Sequence, residues 1–197
     1  MAKNNNNKEH WDFKYEQGLP SLTEPDPFFI FAYGHFVEPS FLNAGVALDL
    51  ACGLGRHALW LATRSWRVCG VDISEVAIRK LSHAALELNV SLDLFVGDAS
   101  EYKFGSTRFD LIVLFYHADR NLFPRVVSAL NPGGLLICKL GLQWDTDAGF
   151  TRVGPDPLHR NELPSLLPGL HVLYHQERQV RDRGVVEFAA RKKGRET

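Results

Sequence analysis

The chain has 197 residues, 45% hydrophobic and 23% charged, with 22 Lys+Arg against 23 Asp+Glu and a formal net charge of −1. That length supports one domain with a real core, and the near-average composition excludes wholesale disorder and a fibrous repeat. The balanced charge lacks the basic excess that phosphate neutralisation needs, and the longest apolar runs, 46–50 and 111–116, are far too short for a bilayer, so neither a nucleic-acid nor a membrane partner is expected.

Residues 1–8 read as a polar, Asn-rich tail with nothing to bury and are expected to be disordered. No basic segment followed by an apolar run opens the chain, so a cytoplasmic location is expected. Residues 9–44 form an aromatic-rich arm, from Trp11 to Phe41, which Pro20, Pro25, Pro27 and Pro39 keep from being one long helix. Its aromatics need cover, so the arm is expected to pack across the main domain, residues 45–197.

There, short apolar runs at 46–50, 67–72, 91–96, 109–115 and 134–141 alternate with helical stretches near 55–64, 74–89 and 119–130. Between Ser74 and Asn89, Val76, Ile78, Leu81, Ala85 and Leu88 are compatible with one buried helical face, Ser74 being a candidate N-cap. Strands separated by helices predict βαβ units and a parallel sheet. After a Gly/Pro/Asp-rich interruption at 141–157, the runs 171–176 and 185–190 predict a terminal antiparallel hairpin joined by the charged segment 177–184. Cys52, Cys69 and Cys138 each sit in or beside an apolar run and read as buried free thiols, without the spacing of a zinc site. His171 and His175 lie in a strand pattern with no third ligand, so no metal is assigned.

The first strand leads into Asp49-Leu50-Ala51-Cys52-Gly53-Leu54-Gly55-Arg56-His57-Ala58. Gly53 and Gly55 allow close backbone approach to a ligand at a helix start, and Gly-x-Gly-x-x-Ala also satisfies the dinucleotide fingerprint. Asp49 stands ahead of the glycines, where it would repel a pyrophosphate and attract an ammonium or sulfonium. Asp72 closes the second strand, placed for two ribose hydroxyls. Asp98 closes the third, placed for an adenine amine with the Ala99 amide beside it. Three acids at successive strand ends fall where open α/β sheets bind ligands.

These segments, with Gly70-Val71-Asp72-Ile73-Ser74, Gly97-Asp98-Ala99, Phe109-Asp110-Leu111-Ile112-Val113 and Leu130-Asn131-Pro132-Gly133-Gly134-Leu135-Leu136, resemble the class I S-adenosylmethionine-dependent methyltransferases. Trp11-Asp12-Phe13-Lys14-Tyr15 and Gly53-Leu54-Gly55-Arg56-His57 are similar to the small tellurite-resistance-type branch. The resemblance implies a Rossmann-like three-layer α/β sandwich, with a seven-stranded, mostly parallel sheet and a C-terminal antiparallel hairpin. It implies S-adenosyl-L-methionine as cofactor and S-adenosyl-L-homocysteine as product. By position it puts Ala51, Cys52, Gly53 and Gly55 along the methionine portion and Asp49 near its amino group, with Arg56 also among the cofactor-binding residues. Asp72 falls on the ribose, Ile73 against adenine, Asp98 and Ala99 on the adenine edge, and the carbonyl near Phe115 on the ammonium. The family's Asn-Pro-Pro-Tyr is replaced by Leu114-Phe115-Tyr116-His117, which argues against amino methylation of DNA bases or glutamine.

A sulfonium already carries a good leaving group, so the enzyme has mainly to align a nucleophile and exclude water. Tyr116 and His117, directly after the fourth strand, are the catalytic candidates, His117 as a proton acceptor. Trp11 and Tyr15, at i, i+4 spacing, are candidates for a lid. Arg178, Arg181 and Arg183, between the last two strands, are candidates for steering an anionic substrate; a solvated charged turn is the plainer alternative. The expected reaction is methyl transfer to a small molecule (a thiol, oxyanion, carboxylate or hydroxyl) by a monomer or homodimer. The competing readings are a nicotinamide-dependent enzyme on the same glycine turn and an inactive cofactor-binding module.

Overall fold

The computed structural model describes residues 2–19, 23–106, 108–144, 157–180 and 183–194, with the side chains of residues 2–5 excepted. Seven strands form one sheet: β1 (Val46–Leu50), β2 (Arg67–Asp72), β3 (Leu92–Val96), β4 (Phe109–Phe115), β5 (Leu130–Leu142), β6 (Leu170–Val180) and β7 (Arg183–Lys192), ordered β3-β2-β1-β4-β5-β7-β6. The first five are parallel, and β7 runs antiparallel to both β5 and β6. The three-layer sandwich with its terminal hairpin is the architecture the apolar runs and the family resemblance predict.

Strand alternation divides the core. Leu48, Leu50, Ile112, Leu114, Leu136 and Cys138 pack on one face with Phe123 and Val126 of α5 (Phe123–Ala129). Ala47, Leu111, Val113, Leu135 and Ile137 pack on the other with α2 (Pro27–Ala32) and α3 (Arg56–Ala62). Phe29, Phe109, Phe123 and Phe188 are fully buried, each contributing about 1.5–3 kcal/mol of transfer free energy. Helix α4 (Glu75–Glu87) is capped by Ser74, whose Oγ accepts from the Ala77 N–H at 3.1 Å, and it buries Val76, Ala77, Ile78, Leu81 and Ala85; Leu88 lies just past its end and is exposed.

Three expectations need correction. The tail read as disordered is helical: α1 spans Ala2–Glu16 and docks on α4. The helix expected near 119–130 is shorter, because Asp119 turns the chain by accepting from the Asn121 N–H at 2.9 Å and β5 already begins at Leu130. The hairpin strands are longer than read, so Arg178 belongs to β6 and Arg183 opens β7. Beyond α2 the arm continues as a π turn, Tyr33–Val37, and a 3-10 turn, Glu38–Ser40. Among the described residues no helix is long and apolar enough to cross a membrane.

Candidate active site

Strand β1 pairs with β2 on one side and β4 on the other, so the chain leaves their carboxyl ends in opposite directions and opens a crevice. The loop after β1 enters the left-handed region at Ala51 (φ 53°), Gly53 (φ 55°) and Gly55 (φ 73°). At Gly55 a Cβ would stand 2.2 Å from Leu81 Cδ1, so glycine is what lets the loop press onto α4. At Gly53 a Cβ would stand 2.5 Å from the Tyr15 hydroxyl, which lies directly over the loop.

The acids hold this loop. Asp72 accepts from the Gly53 N–H at 2.7 Å and, through its other oxygen, from the Ser74 N–H at 2.9 Å. Asp49 is 1% exposed and accepts from the Ala58 N–H at 3.1 Å. Burial pushes its carboxyl up to about 7, against the opposing pull of the Ala58 N–H and Arg56. Asp98 closes a local turn on the Ser100 N–H at 2.8 Å.

Helix α1 covers the crevice. Asp12 accepts from the Ser74 hydroxyl at 2.6 Å and from the Val76 N–H at 3.2 Å, so an acid from the arm joins the cap of α4. Lys8 reaches Asp12 at 2.6 Å and Glu75 at 3.7 Å, and Lys80 donates to the Tyr15 carbonyl at 2.6 Å. Trp11 and Tyr15 stack with ring centroids 5.7 Å apart.

The result is a partly enclosed cleft between the β1 loop, the ends of β2 and β4, and α1. Of the expected cofactor residues, Asp49, Ala51, Cys52, Gly53, Arg56, Asp72, Ile73, Asp98, Ala99 and Phe115 line it; so do Tyr116, His117, Trp11 and Tyr15. Gly55 lies behind the loop instead. Arg178 and Arg183 do not line the cleft: Arg178 donates to both Glu187 oxygens, at 2.6 and 3.2 Å, and Arg183 is exposed. Arg181 lies outside the described residues. His117 Nε2 is buried with no hydrogen-bond partner among the described residues, a state native proteins rarely leave without a ligand or water to meet it.

Residues not anticipated lie behind Tyr116, outside the cleft lining. Asp26, Lys139 and Glu187 are buried together, Lys139 Nζ lying 3.0 Å from Asp26 and 3.1 Å from Glu187. Tyr116 donates its hydroxyl hydrogen to Asp26 at 2.7 Å. His57, packed on Phe29 and Phe115, accepts from the Asp26 N–H at 3.2 Å, and burial, with Arg56 adding, lowers it to about 3. Lysine and glutamate inside the apolar runs of two strands were the available signal: in register, Lys139 stands opposite Glu187.

Residues 47–134 match a family model described as a methyltransferase domain. That match runs from β1 into β5, the segments on which the resemblance to class I S-adenosylmethionine-dependent methyltransferases rests. Among solved structures the chain is similar to TehB from Haemophilus influenzae, with a TM-score of 0.73 and 20% identity over 91% of this chain; that alignment spans 66% of TehB. It is equally similar in fold (TM-score 0.73, 13% identity, 98% of both chains) to magnesium protoporphyrin IX methyltransferase from Synechocystis PCC 6803 with bound SAM. The [4+2]-cyclase SpnF also shares the fold, with a TM-score of 0.69 and 19% identity over 85% of this chain and 80% of its own. Comparison with curated proteins gives no match.

Proposed function

We propose that the protein transfers the methyl group of S-adenosylmethionine to a small-molecule acceptor by in-line displacement, and that α1 closes over the cofactor. The observation that carries this reading is the buried Asp49 carboxyl at the loop, held near 7 by desolvation. Such a group gains most from a cation placed beside it, and the cofactor's amino acid end supplies one. The unsatisfied His117 Nε2 is a second sign that a polar ligand completes the cleft. Asp72 keeps free lone pairs after bonding Gly53 and Ser74, which suits ribose hydroxyls; Ile73 and Ala99 suit the adenine faces.

When bound, the cofactor supplies an electrophilic methyl on a good leaving group. The chain's own contribution is to orient and dehydrate: Trp11 and Tyr15 cover one side, while Phe115 and Tyr116 bound the other. Incubation with methyl-labelled S-adenosylmethionine and a panel of small thiols, alcohols, phenols and carboxylic acids tests the reading. Label in at least one small acceptor is expected; label entering only protein or nucleic acid would refute the small-molecule assignment.

A further inference from the structure

Tyr116, which lines the cleft, is backed by an arrangement that methyl alignment alone does not require. Tyr116 directly follows β4 with φ 61°, a left-handed conformation that costs a non-glycine residue about 1–2 kcal/mol. Its N–H is fixed to the Lys139 carbonyl at 2.7 Å, and its ring borders the cleft with the side chain 56% exposed. Its hydroxyl points the other way chemically, donating to Asp26.

Asp26 is 4% exposed. Among the described residues the groups facing its carboxylate are donors or cations: the Phe28 N–H at 2.9 Å, the Tyr116 hydroxyl, Lys139 Nζ and, at 3.9 Å, Arg56 Nη2; neutral His57 takes its backbone N–H. Burial alone would raise its pKa, but the hydrogen bonds from Tyr116, Lys139 and Phe28 outweigh burial and keep it a carboxylate. An ionised carboxylate only accepts. The Tyr116 hydrogen is therefore committed to Asp26, and what Tyr116 has left is oxygen lone pairs. A hydroxyl in that state welcomes a donor and repels an anion.

We propose that Tyr116 and Asp26 form a proton relay, so that the acceptor is a neutral molecule with a proton on its nucleophilic atom: an alcohol, a phenol or a thiol. This rests on the methyltransferase reading and narrows it, excluding oxyanion and carboxylate acceptors. In the step, a lone pair on the acceptor atom forms the bond to the methyl carbon, and the carbon–sulfur pair leaves with sulfur as a neutral sulfide. The acceptor's proton passes to the Tyr116 oxygen as the Tyr116 proton passes to Asp26. One positive charge on sulfur and one negative charge on Asp26 disappear together. A methylated, still protonated oxygen or sulfur is a strong acid, so a carboxylate of low pKa is base enough. After product release the proton returns through Tyr116, the exposed member of the pair, to water. Lys139, bridging Asp26 to Glu187, positions the carboxylate.

The test measures S-adenosylhomocysteine affinity and then methyl transfer to phenol, benzyl alcohol, 2-mercaptoethanol and iodide, in wild type, Tyr116→Phe and Asp26→Asn. Tyr116→Phe removes one oxygen at an exposed ring and guards against Asp26→Asn failing to fold. The expected result is transfer to at least one protic probe and none to iodide, with unchanged S-adenosylhomocysteine affinity throughout. Both variants should lose about 100-fold or more in kcat, in line with general-base contributions, with KM within threefold. Transfer to iodide alone, transfer to no protic probe, or a Tyr116→Phe kcat within threefold of wild type would each overturn the relay while cofactor binding stands. Absence of cofactor binding by wild type would remove the methyltransferase reading and the relay with it.

Discussion

Replacing Asp12 by alanine isolates the docking of α1. Asp12 touches three groups, of which the Lys8 pair is i, i+4 and partly exposed and contributes about 0.3–0.5 kcal/mol. The Ser74 hydroxyl and the Val76 N–H, bonded at 2.6 and 3.2 Å, are charge-assisted and partly buried, and together are worth about 2 kcal/mol. None of these bonds lies in the sheet, so the loss falls on the equilibrium between docked and undocked α1. If Trp11 and Tyr15 grip the cofactor only when docked, apparent affinity falls with the docked fraction. Two kcal/mol caps the effect at about thirtyfold, and a helix docked by about 3 kcal/mol or more would show almost none. Calorimetry with S-adenosylhomocysteine on Asp12→Ala, Ser74→Ala and the double variant reads it, and the double variant should cost less than the sum. Hydrogen exchange should show α1 losing protection before β1 or β4. Wild-type affinity in Asp12→Ala after α1 has lost its protection would refute α1 as a lid.

Two further outcomes follow from the loop. The native Asp49 carboxyl holds its proton up to about pH 7 while the unfolded one loses it near 4, so the free protein binds more protons folded than unfolded and loses stability as pH rises between those values. A cation beside Asp49 reverses that preference. Cofactor binding should therefore tighten from pH 6 to 8 and release protons, measurable by calorimetry in buffers of different ionisation enthalpy; Asp49→Asn should abolish the proton release. The two glycines should separate lid from core. Gly55→Ala drives a methyl into Leu81 and should lower Tm by about 4–8 °C for about 2 kcal/mol, whereas Gly53→Ala meets the movable Tyr15 hydroxyl and should weaken cofactor binding more than it lowers Tm.

What was legible in the sequence follows from how locally each feature is determined. Strands β1, β2 and β4 are buried on both faces and so read as mostly apolar runs, and the acids at or near their ends marked where a ligand would lie. Helix α1 was missed because Asn-rich residues 4–7 show no apolar face, while the groups that hold it, Ser74, Glu75, Val76 and Lys80, lie more than 60 residues away. The Asp26 cluster was missed for a related reason. Pro25-Asp26-Pro27 reads as a turn, and only folding brings it to Lys139, 113 residues on. Arg178 was read as solvated or substrate-steering because the length of β6, which sets it against Glu187, depends on pairing with β7.

Titration calorimetry of the wild-type protein with S-adenosylmethionine, S-adenosylhomocysteine and NAD, repeated on Asp72→Ala, tests the central claim most directly. One molecule of each adenosyl ligand should bind per chain, NAD should not, and Asp72→Ala, which frees the Gly53 and Ser74 amides, should weaken binding by about 100-fold or more. Binding of NAD in preference to the adenosyl ligands, or adenosyl binding indifferent to Asp72, would contradict the account.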